Sequence, residues 1–309
     1  MKVSLDEIHA RAGLVASESS LFGLGAGTLT GATLAALLLG HAAAPILRPG
    51  LAAGAGLCSC GVVLAWLGRS FDVGGTARRP EGLPRIWWPM MVFGAALAIS
   101  GWVTLALVVQ HEPSATTAVD PVWPWGKSAA IATVGSLLCT VPLLATLGLR
   151  GLLAVDAGAP MPLAQLFQAA SHNLLGGLGL LMVMGYASEA MGVELKFALG
   201  AAICTTAAHA ILWSSWLLRG SRRAIARLRA QGIRVPMLDR GHSLASAAVV
   251  LGLLAPGLTV LAGLVTGRDT GLTVACAVLA VSNHTMRYGL VLLPLGHVVK
   301  GPPSPANEA

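Results

Sequence analysis

The sequence predicts an all-α fold, a polytopic membrane bundle of about eight transmembrane helices, and three observations predict it. Of the 309 residues, 55% are hydrophobic and only 11% charged, where a soluble domain carries about 25% charged residues. Apolar runs recur along the chain, each close to the ~20 residues that a helix needs to cross a hydrocarbon core about 30 Å thick. The 38 glycines are the third observation, because several sit inside the apolar runs, where small residues let helix backbones approach closely. A bilayer also demands that every backbone amide be bonded within its own segment, so the runs are helices and not buried strands.

Taken in order, residues 1–19 form an N-terminal segment with Asp6, Glu7 and Glu18. It lacks the short apolar core and small-residue site of a cleaved signal peptide. The first span, 20–46, carries Gly23, Gly25, Gly27 and Gly31; the Gly27/Gly31 pair reads as close helix packing in preference to a ligand site. The second, 50–68, holds Cys58 and Cys60 on opposite sides of a helix, as small apolar filler. Further spans are expected at 87–110, 128–150, 166–188, 195–218, 242–266 and 271–298, with a basic segment at 219–241 and a short polar tail at 301–309. The whole chain is thus one integral membrane domain, residues 1–309.

With eight crossings, most of the Lys and Arg residues fall on the side bearing both termini. Only Arg48, Lys127, Lys196 and Arg268 fall opposite, and Arg287 lies inside the last span. The positive-inside rule then puts both termini in the cytoplasm of a cell whose inner membrane the chain spans. The excess comes mainly from the stretch leading to Arg85 and from the segment Arg219–His242, where Arg219, Arg222, Arg223 and Arg227 recur at helical spacing. That spacing predicts a short basic helix beside the membrane, facing lipid headgroups, an acidic partner, or both.

Between the second and third spans the chain reads WLGRSFDVGGTARRP, from Trp66 to Pro80, and the third span opens on Trp87-Trp88. The order Leu67-Gly68-Arg69-Ser70, Arg78-Arg79-Pro80, Trp87-Trp88, then Asp120-Pro121-Val122-Trp123 and a last helix with Arg287 and His297, resembles the membrane-anchor subunit of the dimethyl sulfoxide reductase family, within the NrfD/polysulfide reductase group. The resemblance implies a noncatalytic anchor in an oxidoreductase complex with a molybdopterin subunit and a ferredoxin-like iron–sulfur subunit. It further implies a quinone or menaquinone site fed by the nearest cluster, for which Trp66, Arg69, Trp87, Trp88, His284 and Arg287 are the candidates. Arg78, Arg79, Arg85, Arg222 and Arg223 would then form the docking rim, since a cationic surface steers an acidic partner. Family members often carry His or Glu where this chain has Trp66 and Trp88; an indole stacks on a quinone ring but takes no proton from quinol.

Several polar groups fall inside the spans, where ionisable side chains are costly and mark function. Asn283, His284 and Arg287 are three and four residues apart and share one helix face. Arg287 keeps its charge, so it requires a partner, a water-filled cavity or a ligand oxygen, and Glu189 is one candidate partner. His172 and His209 on successive spans suit a bis-histidine b-haem, the less favoured reading, because a single helix histidine is more often bonded to a neighbour. The five cysteines have no cluster spacing, so no iron–sulfur cluster is expected in this chain. Phosphate loops, metal-ligand spacings and nucleic-acid motifs are absent from the sequence, and no catalytic residue is assigned. Two alternatives to a haem-free anchor stay open: an anchor carrying haem, and a transporter or channel using Asn283, His284 and Arg287.

Overall fold

The computed structural model describes residues 5–72, 83–110, 130–138, 140, 162–188, 191–232, 236–268 and 271–298. Nearly all of these are helical, and no strand occurs among them. Helix α1 spans Leu5–Leu39 and ends in a 3-10 turn, Gly40–Ala43. Helix α2 follows at Ala44–Asp72, α3 at Leu83–Gln110, α4 over residues 130–138 and 140, and α5 at Pro162–Ala187. Helix α6 spans Val193–Ala230. Helix α7, Pro236–Val249, runs through a π-helical turn, Val250–Leu254, into α8, Ala255–Thr266, and α9 spans Leu272–Val298.

Five segments of the described residues are long and apolar enough to cross a membrane: Ala16–Leu39, Ala44–Leu67, Met91–Gln110, Val193–Ala230 and Leu238–Thr266. The other expected spans, 128–150, 166–188 and 271–298, overlap α4, α5 and α9. Two boundaries differ from the sequence expectation, each for a physical reason. The first reversal falls at Gly40, whose φ of 54° a side chain would resist. Pro49, expected between spans, instead sits inside α2 as its sixth residue, where it forgoes the ladder bond to the Pro45 carbonyl and its ring crowds that group. The basic segment is no separate helix either: α6 continues for 38 residues, about 57 Å at 1.5 Å per residue. Its Arg, Leu and Ala residues favour helix, and it stops only at Gln231-Gly232, where Gly232 turns to a φ of 76°.

Glycine contacts define how the rods pack. Along α1, Gly23 and Gly27 meet Asn173 of α5 and Gly31 meets Leu178 and Leu181, so α1 and α5 run parallel. At the centre of this crossing Gly177 lies against the backbone of Gly27 and Thr28, and a methyl on either glycine would overlap main-chain atoms. A second face of α1 holds α2 antiparallel, with Gly25 against Gly54 and Cys58, and Gly61 against Phe22. Helix α9 lies antiparallel to α5, since Gly179 packs on Cys276 and Leu279 while Asn173 reaches Asn283. Helix α7 also packs on α9, through Gly289 against Gly241 and Ala245. Phe22, Leu29, Ile46, Leu51, Leu175, Leu181 and Met182, all fully buried, fill the space around α1.

Pro256, near the start of α8, has no N–H to give to the preceding turn. The π turn just before it, Val250–Leu254, accommodates the missing bond within a continuous helix. There Gly252 lets Ser282 of α9 approach to a distance that any side chain would close.

Candidate functional site

The most polar part of the interior lies where α1, α5 and α9 meet. Gln168, His172 and Asn173 on α5 and Asn283 and Arg287 on α9 are all buried. From α1, Ser20 is buried as well, and its Oγ lies 3.4 Å from His284 Nδ1. These positions come together because α1 and α5 run in register while α9 runs against them. Each contributes the turn that faces the same junction.

The hydrogen bonds are specific. Arg287 donates from its terminal nitrogen to Asn173 Oδ1 at 2.9 Å and to the backbone carbonyl of Ala169 at 3.4 Å. The Asn283 amide donates to the same Asn173 oxygen at 3.4 Å. Gln168 Nε2 approaches His172 Nδ1 at 3.1 Å; an amide nitrogen only donates, so Nδ1 accepts and the imidazole proton sits on Nε2. Four buried atoms of this cluster have no partner: His172 Nε2, Asn173 Nδ2, Asn283 Oδ1 and Arg287 Nε. Orphaned groups of this kind are rare in folded interiors and call for an explanation. Chemically, the junction is a charged, donor-rich cluster of neutral amides, an imidazole and one guanidinium.

Of the six residues expected around a quinone, His284 and Arg287 belong to this junction. Trp66 is 54% exposed on α2, a position that faces outward from the bundle. The side chains of Arg69, Arg85, Trp87 and Trp88, and the whole of Arg78 and Arg79, lie outside the described residues, as does Glu189. Arg222 and Arg223 are exposed on the extension of α6. His172 and His209 stand at one level, because Phe167 of α5 stacks on Trp213 of α6 at 5.1 Å. They face differently: His172 is fully enclosed and bonded to Gln168, while His209 is exposed. Among the described residues no three His, Cys, Asp or Glu side chains group as metal ligands, and Cys58, Cys60, Cys204 and Cys276 are free thiols.

Sequence reasoning singled out Asn283, His284 and Arg287 but missed Asn173, which accepts from both α9 donors. Its signal was available as a second amide, next to His172, in an apolar span. The extension of α6 forms a hairpin with α7 that sequence reasoning also missed. Arg229 and Asp239 pair at 2.7 Å, Ser221 Oγ meets His242 Nδ1 at 2.8 Å, and Ile225 and Leu238 are buried. Just before it, Trp213 and Trp216 meet edge to face, as amphipathic aromatics do at a membrane surface. A separate open groove of about 620 Å³ lies between α3 and α4, lined by Ala96, Ile99, Val103 and Ile131; it is almost wholly apolar.

No protein-family model, curated protein or solved structure matches this chain.

Proposed function

We propose that the chain is the membrane-anchor subunit of an oxidoreductase complex, crossing the inner membrane eight times with both termini in the cytoplasm. It passes electrons between a quinone and an iron–sulfur subunit, itself joined to a molybdopterin catalytic subunit. The reading rests on the ordered motifs from Leu67-Gly68-Arg69 to Arg287. The observation that carries it furthest is the length of α6. At about 57 Å this helix outruns a hydrocarbon core of about 30 Å, and the excess bears exposed Arg219, Arg222, Arg223 and Arg227. A rigid basic arm of this kind, pinned by the hairpin with α7, suits an acidic protein partner. The same arm is suited to steering, since clustered exposed charge raises association rates.

In this reading the quinone ring stacks on the exposed indole of Trp66 at the membrane edge, near the end of α2 that leads to Arg69. The test is extraction in mild detergent followed by identification of the copurifying chains. An iron–sulfur polypeptide should accompany the wild-type chain, and the pair Arg222→Glu and Arg223→Glu should reduce its recovery by tenfold or more. Recovery of the chain alone, or equal recovery with the charge-reversed arm, refutes the assignment.

A second reading is favoured by one observation. The polar junction lies beside a helix that carries a π turn and Pro256, local irregularities of the kind found where solutes cross membranes. Uptake or conductance by the purified chain in liposomes would replace the redox reading with this one.

A further inference from the structure

We propose that the α1–α5–α9 junction binds a small monovalent anion of halide type against the Arg287 guanidinium. The inference does not rest on the redox reading.

The first argument is charge. A guanidinium stays protonated in proteins, and an intramembrane cation is expensive unless something of opposite sign meets it. Both hydrogen bonds of Arg287 end on neutral oxygens, Asn173 Oδ1 and the Ala169 carbonyl. Its hydrogen bonds thus bring the guanidinium dipoles and no formal negative charge.

The second argument is the sign of what is left over. Because a guanidinium can only donate, the Asn173 carboxamide must turn its oxygen toward Arg287, and its Nδ2 then faces away with no partner. Because Gln168 donates to His172 Nδ1, the His172 proton sits on Nε2, also without a partner. Arg287 Nε is the third donor in the same state. Against three unused donors stands one unused acceptor, Asn283 Oδ1. Water supplies both kinds of bond equally. An acceptor-only ligand with one negative charge satisfies the donor excess and meets the guanidinium charge together.

The third argument is size. Gly23 lies against the Asn173 carboxamide, Gly27 against its carbonyl, and Gly176 is within 3.8 Å of Asn283 as measured from where its Cβ would stand. Helices held this closely exclude a ring or a headgroup and restrict a ligand of Arg287 to few atoms.

Chloride is the probe. The intact chain in detergent is unfolded thermally in sodium chloride, sodium bromide and sodium gluconate of equal ionic strength. Chloride and bromide should raise the midpoint saturably, by about 5–10 °C at a hundredfold excess over Kd, and gluconate should not. Formate and acetate distinguish a halide site from one built for a carboxylate. A rise with formate or acetate equal to that with chloride overturns the halide assignment. Arg287→Gln should abolish the chloride response, while Ser100→Ala in the α3–α4 contact should keep it. Should Arg287→Gln not fold, a bromide-soaked crystal of the wild-type chain decides: an anomalous peak within hydrogen-bonding distance of Arg287 supports the site. Equal midpoints in chloride and gluconate, a chloride response that survives in Arg287→Gln, or a crystal without that peak would each overturn it.

Discussion

Replacing Gly27 by alanine should destabilise the bundle, and the α1–α5 crossing lets the size of the effect be worked out. A Cβ at Gly27 overlaps the main-chain carbonyl of Asn173, which cannot swing aside as a side-chain tip would. The helices must separate by about 1 Å, and a gap of that size forfeits up to about half of each contact well of 0.1–0.2 kcal/mol. Over some tens of atom pairs this loses about 2–4 kcal/mol, consistent with the 1–3 kcal/mol or more typical of overpacking. Alanine recovers up to about 1 kcal/mol through helix propensity. A net loss of about 1–3 kcal/mol remains. Gly56, on α2, supplies the control, because a Cβ there meets nothing within 4 Å, so Gly56→Ala should be neutral or slightly stabilising. Unfolding in mixed detergent micelles, followed by the fluorescence of the eight tryptophans, measures both. Should Gly27→Ala prove as stable as Gly56→Ala, the backbone-on-backbone crossing is wrong.

Other perturbations test separate parts of the structure. Ser100 and Ser136, hydroxyl to hydroxyl at 2.8 Å, tie α3 to α4, and a double-mutant cycle to alanine should return about 0.5–1 kcal/mol, the usual worth of such a bond between membrane helices. Asp239→Asn removes the exposed pair with Arg229 and should cost no more than about 0.5 kcal/mol, vanishing at high salt, as surface pairs do; a loss of several kcal/mol in the same unfolding assay would contradict its exposure. Gly252→Val drives a side chain into Ser282 and should cost about 1–3 kcal/mol by overpacking, again read by unfolding. Pro256→Ala restores an N–H at the π turn, and amide hydrogen exchange across Val250–Leu254 should slow if the turn relaxes toward α-helix.

The helical bundle was legible because length and apolarity are summed over twenty residues, so no single side chain decides them. The boundaries were less so. Arg48-Pro49 looked like a break, yet a left-handed glycine at Gly40 gave the chain an easier place to reverse. The arginine spacing from Arg219 to Arg227 suggested a short helix of its own, whereas α6 runs through these residues without a break as far as Gln231-Gly232. Within the junction, Arg287 and Asn283 were visible through helical spacing on one segment. The pairing of Asn173 with them was not, because it spans 114 and 110 residues of sequence and depends on α5 lying antiparallel to α9. Periodicity reports what shares a face of one helix; it is silent on which faces meet.

The glycines that hold α1 against α5 and the polar groups that gather around Arg287 are one feature and not two. Asn173 contributes its backbone to the contact with Gly27 and its side chain to the bond with Arg287. Any side chain that spreads the crossing therefore also withdraws the acceptor from the guanidinium. Gly27→Ala should in consequence lower stability by more than the packing loss alone, and it should weaken the chloride response of the junction. Gly31→Ala, one turn on, meets only the Leu181 and Leu178 side chains, which can rotate. It should cost less and leave the anion response intact. Midpoints for the two variants in chloride and gluconate separate the contributions: equal chloride responses in both would mean that packing and polar chemistry are independent, against the geometry of Asn173.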